Sequence, residues 1–412
     1  ELLAGGEARG YDGPWDVPQD LSKLSGMLRY TFGSGASTYS LLALGYHNAW
    51  DASDQIPLRA VESGVLDRFA QVDSTLGGKS GRYSLSGRWT RSGRTSSQRL
   101  DLYGIHYDLE LYSNFTYFLD DPVNGDQIEQ VDEREIFGFD FAHAMSTGWP
   151  GTRSELSVGL QSRLDLIDVG LHDTEGRERV STVRSDDVTE WGTGAWVSAE
   201  TQWNEWFRTL AGLRGDYYRF DVTSDDPRNS GNASDFIASP KLSLIFGPWK
   251  GTEAYASAGL GFHSNDARGT TQTIDPRSGD PVAPVDPLVR SRGAEIGLRS
   301  SPVQGWRSTV ALWTVELDSE LLFVGDAGTT EPSGASRRLG VTWTNFWRIS
   351  ERLTADLDIS FTRARLLDVP DSENRVPGAL ENVVAAGIAW DSPRGGPFAT
   401  ARLRHFGAYP VS

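Results

Sequence analysis

Leu353-Thr354-Ala355-Asp356-Leu357-Asp358-Ile359-Ser360-Phe361 alternates without a break. Leu353, Ala355, Leu357, Ile359 and Phe361 are apolar. The residues between them are polar, as are Arg352 and Thr362 at the flanks. A β-strand sends successive side chains to opposite faces, so this strand has one oily face and one wet, charged face. The same pattern recurs along the chain. Leu156, Val158, Leu160, Leu164 and Leu166 oppose Glu155, Ser157, Gln161, Arg163 and Asp165. Ala254, Ala256, Ala258, Leu260 and Phe262 oppose Tyr255, Ser257, Gly259, Gly261 and His263. Ala294, Ile296 and Leu298 oppose Glu295 and Arg299, and Ala399, Ala401 and Leu403 oppose Thr400, Arg402 and Arg404.

Composition narrows what such strands build. The chain has 412 residues, 45 Gly, 14 Trp and no Cys, so disulfides, thiolate metal sites and a Cys nucleophile are excluded. A formal net charge of −17 argues against a nucleic-acid partner. The basic residues are almost all Arg, with Lys only at 23, 79, 241 and 250. No apolar run approaches the ~18 residues of a transmembrane helix. A membrane β-barrel remains open, because each strand needs only ~9–11 residues and half of them apolar.

Short turns alternate with long polar stretches. The short turns are expected at Gly33 to Gly35, Gly77 to Gly81, Gly148 to Gly151, Trp203 to Trp206, Gly247 to Gly251, Pro302 to Gly305, Arg348 to Glu351 and Pro393 to Gly396. The long stretches are 49–67, 119–132, 169–187, 223–235, 264–288, 325–336 and 367–379. That rhythm predicts an up-and-down antiparallel barrel with unequal ends and about nineteen strands. The stretch 98–118 reads either as one very long strand or as a hairpin near Asp108 to Ser113. Trp149, Trp203, Trp206, Trp249, Trp306, Trp347 and Trp390 fall in or beside short turns. Indole favours the membrane interface, and barrels wear such residues as a girdle, whereas soluble sandwiches bury Trp mid-strand. A sheet of this size must close, since open twisted sheets rarely exceed ~10 strands. No blade repeat of a propeller is present.

Little in the chain points to reaction chemistry. Asp120, Asp121, Asn124, Gly125 and Asp126 could offer oxygen ligands to Ca²⁺, but their spacing does not match an EF-hand, and a solvated turn is the expected reading. Asp51, Asp54, Arg59, Glu62 and Asp67 are expected to form a charged rim. His47, His106, His143, His172, His263 and His405 lack metal spacing, and no nucleophile elbow, P-loop or dinucleotide fingerprint occurs. No catalytic, cofactor-binding, metal-binding or ligand-binding residue is assigned. The polar strand faces are the expected functional surface. Arg82, Arg88, Arg163, Asp165, Arg208, Arg214, Asp216, Glu295, Arg299, Arg352, Asp356, Asp358, Arg402 and Arg404 are expected to line a lumen holding water or a polar plug.

Four stretches carry a family likeness: Asp54 to Val61, Arg82 to Ser86, Ser113 to Gln127 and Arg404 to Gly407. In them the chain resembles the barrel portion of TonB-dependent outer-membrane receptors. The resemblance implies a 22-stranded transmembrane barrel with an N-terminal plug. On it, residues 1–412 form a single barrel domain incomplete at both ends, without plug or TonB-contacting segment. About nineteen strands are present, with Glu1 to Tyr11 rising in an early strand and Tyr409 to Ser412 leading toward a missing last one. It further implies a Gram-negative outer-membrane location, no enzymatic activity and no cofactor. The implied partners are outer-membrane lipid or lipopolysaccharide, the TonB complex and a small-molecule ligand such as an iron chelate. Energy-coupled uptake of a scarce nutrient, for example a ferric siderophore, is the leading expectation. A passive porin and a soluble β-rich glycan-binding protein are the alternatives.

Overall fold

The structure, a computed structural model, describes residues 1–148, 152–324, 329–370, 372–392 and 395–409. Its wall strands are β1 (Leu2–Tyr11), β2 (Leu21–Ser34), β3 (Ser37–Asp51), β4 (Gly77–Ser92), β5 (Ser96–Ser113), β6 (Ile128–Thr147), β7 (Arg153–Glu175), β8 (Glu178–Asn204) and β9 (Phe207–Ser224). They continue with β10 (Gly231–Trp249), β11 (Thr252–Ser264), β12 (Leu288–Ser300) and β13 (Trp306–Leu317). A separate hairpin, β14 (Glu320–Val324) and β15 (Thr329–Ser333), precedes β16 (Ser336–Arg348), β17 (Leu353–Leu366), β18 (Asn382–Asp391) and β19 (Phe398–Phe406). Each wall strand pairs antiparallel with the next, and β13 pairs with β16 across the hairpin, giving one 17-stranded sheet. A five-residue helix, Leu58–Glu62, and two short 3₁₀ turns are the helical elements among the described residues.

Antiparallel partners share a face, so the register extends the two-sided pattern from strand to strand. Ala355, Leu357, Ile359 and Phe361 of β17 lie beside Trp347, Asn345, Trp343 and Val341 of β16 and Ile388, Ala386, Val384 and Asn382 of β18. Leu339, Trp343, Trp347, Phe361, Ile388 and Trp390 on this side are all exposed. An apolar band of this extent belongs against lipid rather than water. Trp203, Trp206 and Trp249 are exposed at the short-turn end, and Trp306 meets Trp347 there at 6.4 Å. Trp149 lies outside the described residues, as does most of the expected turn at Gly148 to Gly151. Three indole N–H groups along the band are satisfied within the sheet: Trp191 donates to Ser162 Oγ at 2.9 Å, Trp203 to Thr209 Oγ1 at 2.8 Å and Trp343 to Ser308 Oγ at 3.0 Å. Lipid offers no substitute partner.

Several expected boundaries are corrected. The 98–118 ambiguity resolves to one long strand, β5. Gly77 to Gly81 is not a turn but the start of β4, where Gly78 admits the Glu110 carbonyl closer than any Cβ would allow. The turn it was expected to supply lies at 93–95. The stretch 169–187 is not a loop: β7 and β8 continue through it to a two-residue turn, with Gly176 at φ 58° and Arg177 at φ 70°. Those paired positive angles fit a type I′ turn, whose twist matches the flanking strands. Polar residues filled both faces there because the hairpin has risen clear of the lipid, and wet strands resemble loops in composition. For the same reason 223–235 shrinks to a connection at 225–230 and 119–132 moves to 114–127. The 325–336 loop contains β15, so seventeen of the nineteen strands make the wall.

The buried apolar cluster lies inside the wall toward the long-loop end. Ile167, Val188 and Val222 are register neighbours on β7, β8 and β9; they join Phe220 and Ala267, the last from the long loop 265–287. Lower on the same inner face, large side chains lie across glycines of the neighbouring strand. These pairs are Trp196 over Gly159, Tyr218 over Gly192, Tyr103 over Gly138, Tyr255 over Gly297 and Trp313 over Gly340. Each glycine supplies flat backbone as a seat for a ring.

Candidate functional site

The inner face carries a continuous charged belt. Residues two apart on a strand share a face, so Arg-x-Asp pairs close within one strand. Arg163 Nη2 meets Asp165 Oδ1 at 2.6 Å, and Arg214 Nη2 meets Asp216 Oδ1 at 2.6 Å. Arg134 Nε donates to Asp132 Oδ1 at 2.5 Å, and Arg99 Nε meets Asp101 Oδ2 at 3.0 Å. Cross-strand bonds join these pairs. Arg88 pairs with Asp101; Arg99 Nη2 donates to Asp140 Oδ1 at 2.6 Å; Gln161 donates to Asp140; and Arg214 Nη1 donates to Gln161 Oε1 at 2.6 Å. The chain of contacts runs from β4 to β9. Asp216, only 1% exposed, depends on Arg214 for its charge balance. Nearer the short-turn end of β9, Arg208 lies 3.4 Å from Glu200 and 3.8 Å from Glu253. Tyr255 donates to Glu295 while Arg299 stacks on its ring at 4.7 Å. Arg402 reaches Asp356 at 3.2 Å across the gap left by Gly387.

Above the belt, the loop 265–287 folds inward and is fastened there. Asp266 caps the turn Ala267–Thr270 by accepting from Arg268 N at 2.9 Å and pairs with Arg268 Nη2 at 2.6 Å. Desolvation opposes the charge on Asp266, but the Arg268 guanidinium outweighs it and holds the carboxyl below its usual range. Arg184 pairs with the buried Asp186 and donates from Nη1 to Gln272 Oε1 at 2.9 Å. Asn229 Oδ1 accepts from Thr273 N and Ile274 N, both at 3.0 Å, tying the loop to 225–230.

A second set of bonds braces the neighbouring loops. Asp73 accepts from Thr75 N at 2.9 Å, Thr75 Oγ1 at 2.6 Å, Gln127 Nε2 at 2.8 Å and Asn114 Nδ2 at 3.2 Å. Burial raises its pKa, yet these donors together prevail and lower it. Arg177, at the tip of the β7–β8 hairpin, donates to Thr75 O at 2.6 Å, Leu76 O at 2.8 Å and Asp51 Oδ1 at 2.5 Å; its N–H donates to Gln127 Oε1 at 2.8 Å. Beside this brace lies a cleft of about 410 Å³ lined by Phe115, Asp120, Asp121, Asp126, Asp173, Val180 and Arg277. Asp126 accepts from Leu119 N at 2.8 Å, Asp120 N at 3.2 Å and Asp121 N at 2.7 Å, while Asp121 accepts from Val123 N and Asn124 N. Their oxygens serve backbone amides, and no group of three or more His, Asp or Glu with metal-holding geometry occurs among the described residues.

Thirteen of the fourteen residues expected to line the lumen sit on the inner strand face; Arg352 instead lies in the short turn before β17. Asp51 of the expected rim is drawn to Arg177. Asp54 and Asp67 close local turns on Gln55 N and Phe69 N. Sequence reading missed Arg99, Asp101, Asp132, Arg134 and Asp140, which the doubt over 98–118 and its neighbour concealed. The two-residue Arg/Asp spacing would have found most of them.

A family model described as TonB dependent receptor-like, beta-barrel matches residues 4–411. No curated protein sequence matches the chain. Among solved structures, the chain is similar to the ferric-catecholate import receptor Fiu from E. coli, with TM-score 0.72 and 12% identity over 95% of this chain and 65% of that one. It is similar to BauA, the ferric preacinetobactin receptor from Acinetobacter baumannii, with TM-score 0.71 and 11% identity over 97% and 63%. It is also similar to FyuA, the ferric yersiniabactin uptake receptor from Yersinia pestis, with TM-score 0.69 and 13% identity over 98% and 62%. The chain thus spans less than two thirds of the length of each of these structures.

Proposed function

Because the chain belongs to the TonB-dependent receptor-like β-barrel family, we propose that it forms the barrel wall of a receptor that captures a scarce nutrient at the cell surface and imports it. Its strands lie in the outer membrane of a Gram-negative bacterium, as those of the family do. The ligand class is a ferric siderophore, by analogy with the ferric-catecholate and ferric preacinetobactin receptors whose fold it shares. On this reading residues 1–412 are one barrel domain, the TonB complex supplies the energy and the protein is a transporter rather than an enzyme.

The observation that carries the reading is the inner belt from Arg88 to Asp216. Each of its guanidiniums is paired with a carboxylate of the same wall, so it presents hydrogen-bonding edges with little net field. Such a surface suits a polypeptide packed against it. A passive pore uses rings of one charge sign to steer solutes. The braced loops above supply a structured mouth for ligand capture.

The test is uptake of an iron-labelled chelate by iron-starved cells that carry or lack the gene. Saturable uptake that collapses on loss of the gene, on loss of TonB or on dissipating the inner-membrane proton gradient is expected. Non-saturable uptake indifferent to the gradient would establish a porin instead.

A further inference from the structure

We infer that the chelate captured at this mouth carries net positive charge, on an ammonium group borne by an organic arm; this rests on the receptor reading above. The first ground is where the chain keeps its charge. The connections between wall strands at the long-loop end are 12–20, 52–76, 114–127, 176–177, 225–230, 265–287, 318–335 and 367–381. Together they hold 24 Asp and Glu against 7 Arg and no Lys, a net charge of −17. That is the net charge of the whole chain, so the wall strands and short turns balance to zero. A charge gathered at one opening acts beyond the surface: it draws cations in and turns anions away. A ferric tris-catecholate sets six phenolate oxygens against iron(III) and is a tris-anion, which this field repels. A ferric tris-hydroxamate core is neutral, so one free ammonium on it makes the chelate a cation.

The second ground is that the arginines of these connections are largely committed. Arg177 pairs with Asp51 at 2.5 Å, Arg228 with Asp226 at 2.7 Å, Arg268 with Asp266 at 2.6 Å and Arg277 with Asp173 at 3.2 Å. The other three, Arg59, Arg68 and Arg375, are divided between 52–76 and 367–381, and each of those connections is itself net negative. An anionic chelate needs guanidiniums free to fork onto its oxygens. The carboxylates are in the opposite position. Glu62, Asp120, Asp280 and Glu373 are exposed, and their side chains enter no hydrogen bond or ion pair among the described residues.

The third ground is the cleft of about 410 Å³ beside the loop brace, which has apolar walls as well as charge. Phe115 and Val180 line it and stand 50% and 56% exposed. Asp120, Asp121, Asp126 and Asp173 surround them, and the one basic lining residue, Arg277, is paired with Asp173. Hydrogen bonds from Asn124 hold the Asp121 carboxyl below its usual range, so it stays charged at every pH a cell surface meets. An alkylammonium arm matches both features. Its methylenes lie on Val180 and on the Phe115 ring, whose face attracts the cation as well, and its three N–H donors reach the carboxylates. No group of three or more His, Asp or Glu with metal-holding geometry occurs among the described residues. The carboxylates are therefore spread to attract a cation rather than gathered to coordinate a bare ion, and the iron keeps its organic shell.

The experiment compares iron-labelled chelates in iron-starved cells that carry or lack the full-length gene. The probes are a ferric tris-hydroxamate with one pendant ammonium, the same chelate with that amine acetylated, and a ferric tris-catecholate; copper(II) alone is run beside them. Acetylation removes the charge and little else. The cationic chelate is expected to be taken up with a KM about tenfold below that of its acetylated form, and the tris-catecholate and copper are expected to be refused. Glu62→Gln/Asp120→Asn/Asp280→Asn/Glu373→Gln should slow capture of the cation about fivefold in stopped-flow at low salt. The difference should vanish near 1 M salt, where charges are screened within about 3 Å. Glu205→Gln/Glu351→Gln, at the short-turn end, should change nothing. If the quadruple variant fails to assemble, the acetylated chelate still decides, since it needs no change to the protein. Equal uptake of the two hydroxamates, preference for the tris-catecholate, or uptake of copper alone would each overturn the inference. Gradient-dependent uptake of a neutral or anionic chelate overturns the charge assignment and spares the receptor reading; uptake of no probe beyond that of cells lacking the gene refutes both.

Discussion

Adding one methyl group at Gly159 tests the ring-on-glycine seats of the inner wall. Gly159 and Trp196 are register partners on β7 and β8, and the indole lies flat on the glycine. A Cβ there would sit 2.5 Å from Trp196 Cζ2 and closer still to Cε2 and Nε1, whereas ordinary contact begins near 3.4 Å. The indole must retreat by about 1 Å or leave its rotamer, which places Gly159→Ala in the overpacking range of about 1–3 kcal/mol. The backbone of Gly159 has no positive φ, so Ala carries no conformational penalty of its own. In a strand Ala is if anything the better residue. The assay is urea unfolding of the detergent-folded protein, with gel mobility of unheated samples as the fold check. The control is the same change made in Trp196→Ala. With the ring gone the methyl has room, so the cost of Gly159→Ala should fall to within about 0.5 kcal/mol of zero, giving a coupling energy of about 1–3 kcal/mol. If Gly159→Ala costs the same in both backgrounds, the seat is not what holds the ring, and the argument fails for Gly340 under Trp313 as well.

Ile359→Arg places a charge in the middle of the lipid-facing row and should destabilise the protein by about 2–4 kcal/mol, while Asp358→Asn, one residue away on the inner face, should change stability by less than about 1 kcal/mol. Urea midpoints in lipid vesicles decide it, and a reversed order would invert the inside–outside assignment. Arg214→Ala strips the buried Asp216 of its partner and should cost about 3 kcal/mol, with Arg214→Lys recovering part of it. Asp73→Asn swaps an acceptor of four hydrogen bonds for a group that can accept fewer, and should loosen loops 52–76 and 114–127 by about 2 kcal/mol in hydrogen exchange. The folded pKa of Asp73 lies below its ordinary value of 3.8. Its stabilisation is therefore full above that value and is lost as pH falls through the folded pKa. Loop protection should drop below about pH 4 in the parent protein and be flatter with pH in Asp73→Asn.

The membrane-spanning part was legible because lipid outside and water inside enforce a two-residue period, which Leu353 to Phe361 displays without interruption. Legibility ended where lipid ended. In 169–187 both faces meet water, so composition no longer distinguishes a ladder from a loop. The glycines at 77–81 mark close strand approach, which in composition looks the same as chain reversal. At the site, the inner arginines could be named from parity, and pairs such as Arg163 with Asp165 lie within a strand. Links such as Arg99 to Asp140 need the cross-strand register, and the bond from Arg177 to Asp51 joins residues 126 apart in sequence. No local pattern encodes that.

The intrastrand Arg/Asp pairs have a mechanical consequence. Arg134 with Asp132, Arg163 with Asp165 and Arg214 with Asp216 each neutralise one another on a single strand. On the proposed reading, a polypeptide or solute sliding past them need not break an ion pair to move, nor leave a naked charge behind it. On the receptor reading, the inner wall acts as a wetted bearing: it offers many weak, interchangeable polar grips to whatever moves along it.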